Sequence, residues 1–193
     1  CCGAVQIKNA TGPTAVLNSI VPGAIMNPPN PEAFTAFGTH DDLKHVVDKG
    51  VSATVDWTTP WLGGARFTSI TALRDWKSQG GGDTDGTLVD VLYGPPVDSS
   101  NPDYVQFRQF SQEFRLAGDT DRLNWLVGAF FTNEKLTQHV RLVYGTQFEQ
   151  YANGLFGGAL PLFTGRPANG STFVAGQGQN DTYKQEEKGA AIF

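Results

Sequence analysis

Short turns and long connections alternate along this chain, and that alternation narrows the possible folds more than any single motif does. Residues 51–58, VSATVDWT, change polarity with period two, Val51, Ala53, Val55 and Trp57 on one side and Ser52, Thr54, Asp56 and Thr58 on the other. "TPWLGG" at 59–64 turns the chain, and residues 65–77 return with a softer phase, Phe67 and Leu73 against Ile70. In residues 104–117, Phe110, Phe114 and Leu116 share a side opposed by Ser111, Glu113 and Arg115. A second turn at 118–122 leads into residues 123–145, where Leu136, Val140, Leu142 and Tyr144 oppose Lys135, Thr137, His139 and Arg141. The pattern predicts antiparallel pairs of 51–58 with 65–77 and of 104–117 with 123–145. One apolar face is expected to carry Val51, Val55, Phe110, Phe114, Val140, Leu142 and Tyr144. A further strand is expected over 181–193, and 1–43 reads as loop, rich in Pro and Gly.

The connections at about 78–103 and 146–180 are long. Because successive strands reverse direction, the two short turns fall at one end and the long connections at the other. Compact soluble domains seldom carry structureless loops of that length, whereas outer-membrane barrels combine short periplasmic turns with long extracellular loops. The expected fold is therefore all-β: antiparallel up-and-down strands of a partial transmembrane β-barrel, with barrel strands over 44–145 and a long extracellular loop over 146–180. Residues 123–145 also exceed the usual strand of ~5–6 residues, as strands projecting beyond a membrane do.

Composition agrees. No apolar run approaches the ~20 residues of a spanning helix, but a barrel strand needs only ~10 alternating residues. The net charge of −5, with no Lys/Arg cluster in the sequence, argues against nucleic acid as a partner. Trp57, Trp61 and Trp125 lie in or beside the short turns, and Trp76 lies near the other end of its strand, an arrangement expected of two interfacial aromatic girdles. The opening residues, CCGAVQIKN, lack the basic and apolar regions of a signal peptide, which fits a processed chain or an internal segment. Cys1 and Cys2 leave open a disulfide to a cysteine elsewhere or an acylated Cys1.

Few residues point to chemistry. Asp83, Asp85 and Asp90 in "GDTDGTLVD" hint at a calcium loop, but the EF-hand spacing is incomplete and turn formation is the better account. His40, His45 and His139 are scattered, with no metal spacing. Asn9, Asn169 and Asn180 head N-x-S/T triplets, which carry meaning only in a secreted eukaryotic protein. Glu113 and Arg115 read as ladder residues with cross-strand partners rather than a catalytic pair. With no nucleophile elbow, phosphate loop or triad signature, the sequence predicts neither an enzyme nor a cofactor.

"GARFTSITALRDW", the acid pair in "GGDTDGTLVDVL", "FSQEFRLAG" and "NWLVGAFFTNEKL", in that order, resemble the mid-barrel region of TonB-dependent outer-membrane receptors. The resemblance spans residues 44–145, and its motif positions are Ser69, Thr71, Arg74, Ser111, Gln112, Glu113, Arg115, Trp125 and Gly128, all in structural roles. It implies part of the wall of a large barrel of about 22 strands. The plug and the TonB-contacting box lie outside the region of resemblance. It further implies a bacterial outer-membrane location and a function in active uptake of a scarce nutrient such as a ferric siderophore, a vitamin or a glycan. Implied partners are outer-membrane lipid, the plug and remaining strands, and the TonB complex acting through the plug. Two other readings stay open: a soluble secreted β-sandwich binding carbohydrate or a protein, and a secreted hydrolase with its acids in the long loops.

Overall fold

The computed structural model describes residues 12–25, 37–165 and 170–193. Cys1, Cys2, Asn9 and Asn169 lie outside them. The chain is mostly antiparallel β-sheet. Its elements are α1 (Pro13–Ile20), β1 (Leu43–Thr58), β2 (Arg66–Asp83), β3 (Leu92–Gly94), β4 (Asp103–Thr120), β5 (Leu123–Tyr144), α2 (Phe148–Leu155), α3 (Leu160–Thr164) and β6 (Gly178–Ile192). Within one sheet, β1 pairs with β2, β2 with β4, β4 with β5 and β5 with β6, while short β3 pairs with β2 and β5. The β4–β5 ladder runs without interruption from Tyr104↔His139 to Thr120↔Leu123.

The chain divides into two compact units. The first comprises residues up to Lys44, Gly80–Asp103 and Val140–Asp181; the second comprises His45–Gln79, Tyr104–His139 and Thr182–Phe193.

The first unit has a conventional core. Leu17, Ala24, Val89 and Val91 are buried together, and Ile20, Val21, Leu92, Phe148 and Tyr151 pack around them. Three of its features correct the loop reading of the sequence. Pro13 stands in the first turn of α1, where its missing N–H costs nothing, so the proline starts a helix instead of excluding one. Residues 148–164 form α2 and α3, with Tyr144, Phe148 and Phe173 stacked or edge-on to one another. The glycines at 80–82, which fell in the connection expected over about 78–103, instead continue β2 to Asp83. A Cβ at Gly81 would collide with the Pro95 carbonyl, so the close approach of the two backbones requires glycine there.

The second unit has no such core. Thr59, Ala65 and His139 are its only buried residues, and Thr59 and Ala65 belong to the β1–β2 turn. There the Thr59 N–H and hydroxyl both donate to the Ala65 carbonyl (2.8 and 2.9 Å) around a 3₁₀ turn at Leu62–Gly64. The second turn is tighter than 118–122. Gly118 and Asp119 still pair with Trp125 and Asn124, and only Asp121 and Arg122 lie outside the strands.

Candidate functional site

With no core to compare, the faces of the second unit's five-stranded sheet become the site. Strand alternation and register assign each side chain to a face. Phe110, Phe114 and Leu116 stand opposite Asn133, Ala129 and Val127. Phe67 stacks on Phe114 with centroids 6.0 Å apart, which brings the odd residues of β2 to the same face. Val51 and Leu73 line one groove with Phe110.

This first face therefore carries an apolar band: Val51, Val55 and Trp57 from β1, Phe67 and Leu73 from β2, Phe110, Phe114 and Leu116 from β4, and Trp125, Val127 and Phe131 from β5. Much of it is bare. Val51 is 65% exposed, Val127 52% and Phe114 44%. From Leu123 to Phe131 the band extends about 26 Å along β5 at the usual strand rise.

The even residues of β5 belong to the other face. The grouping of Val140, Leu142 and Tyr144 with Phe110 and Phe114 is thus corrected. β5 alternates without a bulge, and its apolar phase switches sides between Phe131 and Leu136, a change that reading the halves separately conceals. Trp76 is also corrected. Its neighbours Asp75 and Lys77 occupy the first face with Gln106 and Tyr104, so Trp76 points the opposite way from Trp57 and Trp125.

The second face is laced with polar pairs. Arg74 donates through Nε and Nη2 to the two oxygens of Asp48 (3.0 and 2.7 Å). Arg66 and Thr68 both donate to Asp56 Oδ1 (3.1 and 2.6 Å), and Gln109 donates to Glu134 (2.7 Å). Arg115 bonds Glu113 on its own strand at 2.5 Å instead of a partner across the ladder. The residues opposite them are Phe130 and Gly128, which offer no charge. Val46, Ile70, Trp76, Phe107, Leu126, Phe130 and Leu136 interrupt this polar face.

The motif positions thus split between the faces. Arg74, Ser111, Glu113 and Arg115 lie on the polar face. Ser69, Thr71 and Gln112 form a polar bracket inside the apolar band: Thr71 Oγ1 donates to Gln112 Oε1 (2.6 Å), and Gln112 Nε2 donates to Ser69 Oγ (3.0 Å) and the Ile70 carbonyl (3.1 Å). Each hydrogen bond here lets a polar side chain sit among apolar ones without an unpaired group. Trp125 lies over Gly118, and Phe193 fills the space beside Gly128.

Above the apolar band the first face becomes cationic. Lys49, Lys77, Arg108, Lys135, Lys184 and Lys188 share this region with only two carboxylates, Asp75 and Glu186. Arg108 Nε reaches Asp75 at 3.3 Å, and Lys135 and Lys188 reach Glu186 at 3.7 and 3.4 Å. Lys77 lies 4.8 Å from the centre of the Tyr104 ring. His139 Nδ1 is 3.1 Å from the Thr182 hydroxyl, while its buried Nε2 has no hydrogen-bond partner among the described residues. Sequence reading missed this belt because its members are spaced far apart on five strands, and only the register gathers them.

The acids of the "GDTDGTLVD" segment are occupied by the backbone. Asp83 Oδ1 accepts from the Asp85 and Gly86 N–H groups, and Asp85 accepts from Thr87 and Leu92. Asp90 accepts from His40 Nε2 (2.9 Å) and from the Thr146 N–H and hydroxyl (2.8 and 2.7 Å). Burial alone would raise the Asp90 carboxyl, but these donors hold it below its ordinary value of 3.8. These are loop-forming bonds, and no metal-binding cluster occurs among the described residues. No helix among them is long and apolar enough to cross a membrane, which says nothing of strands.

No family model, curated protein or solved structure matches the chain.

Proposed function

We propose that the five-stranded sheet is a section of the wall of a TonB-dependent outer-membrane receptor, serving transport rather than catalysis. The observation that carries this reading is the single-layer sheet itself. One face bears a bare apolar band, the other polar pairs set among scattered apolar side chains, and no described element of the second unit covers either. Water on both sides would leave the band without the burial that drives folding. Lipid on one side and a wet lumen on the other suit both faces. The extent of the band is close to the ~25 Å apolar belt of such barrels, whose interiors are polar. Trp57 and Trp125 mark the turn end of the band, where amphipathic rings favour the interface.

Five strands cannot enclose a lumen, so the reading requires additional strands joined at β1 and β6. The motif resemblance selects the receptor class. In that class the ligand is a scarce nutrient such as a ferric siderophore, a vitamin or a glycan, and the energy comes from the TonB complex through the plug. The test is uptake by cells with the gene intact or deleted, measured for ferric siderophores, cobalamin and oligosaccharides with and without the proton-motive force. Energy-dependent uptake lost on deletion is expected. Unchanged uptake of every substrate would remove the transport reading.

A further inference from the structure

The cationic belt gives the apolar face a chemical preference that a lipid-facing wall does not need. An apolar band alone is indifferent to headgroup charge. Here Lys49, Arg108 and Lys135 line an open groove of about 470 Å³ whose floor is Val51, Leu73 and Phe110. Asp75 is the carboxylate in that lining. It is already engaged by Gln106 Nε2 at 2.8 Å and by Arg108 Nε. Lys49 has no carboxylate within 4.0 Å among the described residues, and its charge acts on Asp75 from farther off. The side chains of Arg108 and Lys135 remain 63% and 58% exposed. Such a surplus of cations contrasts with a chain whose net charge is −5, and with the polar face, where Asp48, Asp56, Glu113, Glu134 and Glu187 outnumber Arg66, Arg74 and Arg115.

We propose that this groove seats an anionic lipid, its headgroup phosphate held by Lys49, Arg108 and Lys135 and its acyl chain laid over Val51, Leu73 and Phe110. Charge complementarity selects the occupant. Lys and Arg supply charge-assisted bonds to phosphate oxygens, and the apolar floor directly below them matches the join between headgroup and chain in a phospholipid. A free phosphate would use the cations and leave the floor bare; a neutral lipid would use the floor and leave the three cations facing only Asp75 and a Glu186 that Lys188 shares. The proposal rests on the wall reading, because it needs the apolar band to face lipid.

The test uses the full chain reconstituted with phosphatidylcholine vesicles that contain or lack phosphatidylglycerol, with partitioning followed by tryptophan fluorescence and flotation. Two variants carry the same change in net charge: Lys49→Gln/Arg108→Gln/Lys135→Gln in the groove, and Arg66→Gln/Arg115→Gln/Arg122→Gln away from it. Far-UV circular dichroism confirms strand content in each. The expected result is partitioning that favours the anionic vesicles by roughly 100-fold, as three basic groups near a charged surface provide. The preference should vanish in the first variant and persist in the second. Equal partitioning into both vesicle types overturns the headgroup site and leaves the wall reading standing. Equal loss in the two variants reduces the effect to net charge and also overturns it. Binding of inorganic phosphate in the absence of lipid, abolished by the first variant, would convert the groove into a free-anion site and overturn the lipid assignment. Failure to enter either vesicle removes the wall reading and the site with it.

Discussion

Gly118 faces Trp125 across the β4–β5 ladder, and the indole occupies the space that a side chain at 118 would take. A Cβ there would lie 2.6 Å from Cζ2 and 2.8 Å from Cε2 of the ring. Gly118 is thus a cross-strand seat for an aromatic ring, and the Gly of "FSQEFRLAG" and the Trp of "NWLVGAFF" belong to one structural device. Gly118→Val should displace the indole and cost about 1–3 kcal/mol, in the range of overpacking. Tryptophan emission and denaturant midpoints in detergent would record it. An unshifted spectrum with an unchanged midpoint would mean that the ring has no preferred seat.

The polar bracket predicts a second, opposite asymmetry. Gln112 joins Ser69 and Thr71 within an apolar band, so truncating it strands two hydroxyls. Gln112→Ala should destabilise the sheet by about 1–3 kcal/mol. The triple change Gln112→Leu/Ser69→Ala/Thr71→Val removes the side-chain partners together, leaving only backbone carbonyls of the strands, and should recover most of that loss. Comparing the two unfolding midpoints checks the bracket, and a triple variant weaker than the single one would contradict it.

Alternation made the strands legible in the sequence. Val51, Ala53, Val55 and Trp57 differ so consistently from their neighbours that β1 could be read directly. Phe110, Phe114 and Leu116 are likewise found on one face. What could not be read was the phase across strands. β5 changes its apolar side near Phe131, and only the Phe110↔Asn133 register reveals which half belongs with β4. The cationic belt was hidden for the same reason. Lys49, Arg108 and Lys135 are unremarkable along the chain and meet only through the β1–β2, β2–β4 and β4–β5 ladders. Helices α1 and α3 were obscured by Pro13 and Pro161, residues that break a helix interior but fit its first turn.

Asp90 provides a prediction in pH. Its folded value lies below its unfolded one, so in the intervening range the unfolded chain binds more protons, and stability rises with pH. That contribution is complete above about 3.8 and disappears as pH falls through the lowered value. Asp90→Asn should abolish this acid-range dependence. It should also cost about 1–2 kcal/mol at neutral pH, since an amide NH₂ in place of an oxygen opposes the Thr146 donors or His40. Acid titration of near-ultraviolet circular dichroism, which reports the neighbouring Tyr93, Tyr144 and Phe148, would measure both effects. An unaltered acid profile in Asp90→Asn would assign the dependence to other groups.

Phe114 tests the direction of the apolar face. It stacks on Phe67 at the middle of the band. If that face meets lipid, Phe114→Arg should cost about 2–4 kcal/mol near mid-bilayer. Ser111→Arg, on the polar face, should be tolerated. Heat-modifiability on gels and protease protection in reconstituted vesicles separate the two outcomes. Normal insertion of Phe114→Arg would count against lipid contact.

The last prediction concerns the chain in water. In the second unit the apolar band has no opposing layer, and β1 and β6 each have one neighbour among the described strands. Both outer strands are long, 16 residues in β1 and 15 in β6. Edges of that length present unpaired N–H and C=O groups that readily recruit another strand. Lys184 and Lys188 place charge on β6, and Lys44 and Lys49 do the same on β1, but each strand also offers apolar neighbours such as Val51, Val55 and Ile192 to water. Residues 1–193 should therefore associate without detergent, through the edges, the bare band or both. Size-exclusion chromatography across a detergent series should show large species that resolve only above the critical micelle concentration. Thioflavin binding should report edge pairing before that point. A monodisperse monomer with a cooperative thermal melt in plain buffer would require the apolar faces to be covered by the protein itself, and a soluble sandwich would then replace the membrane wall.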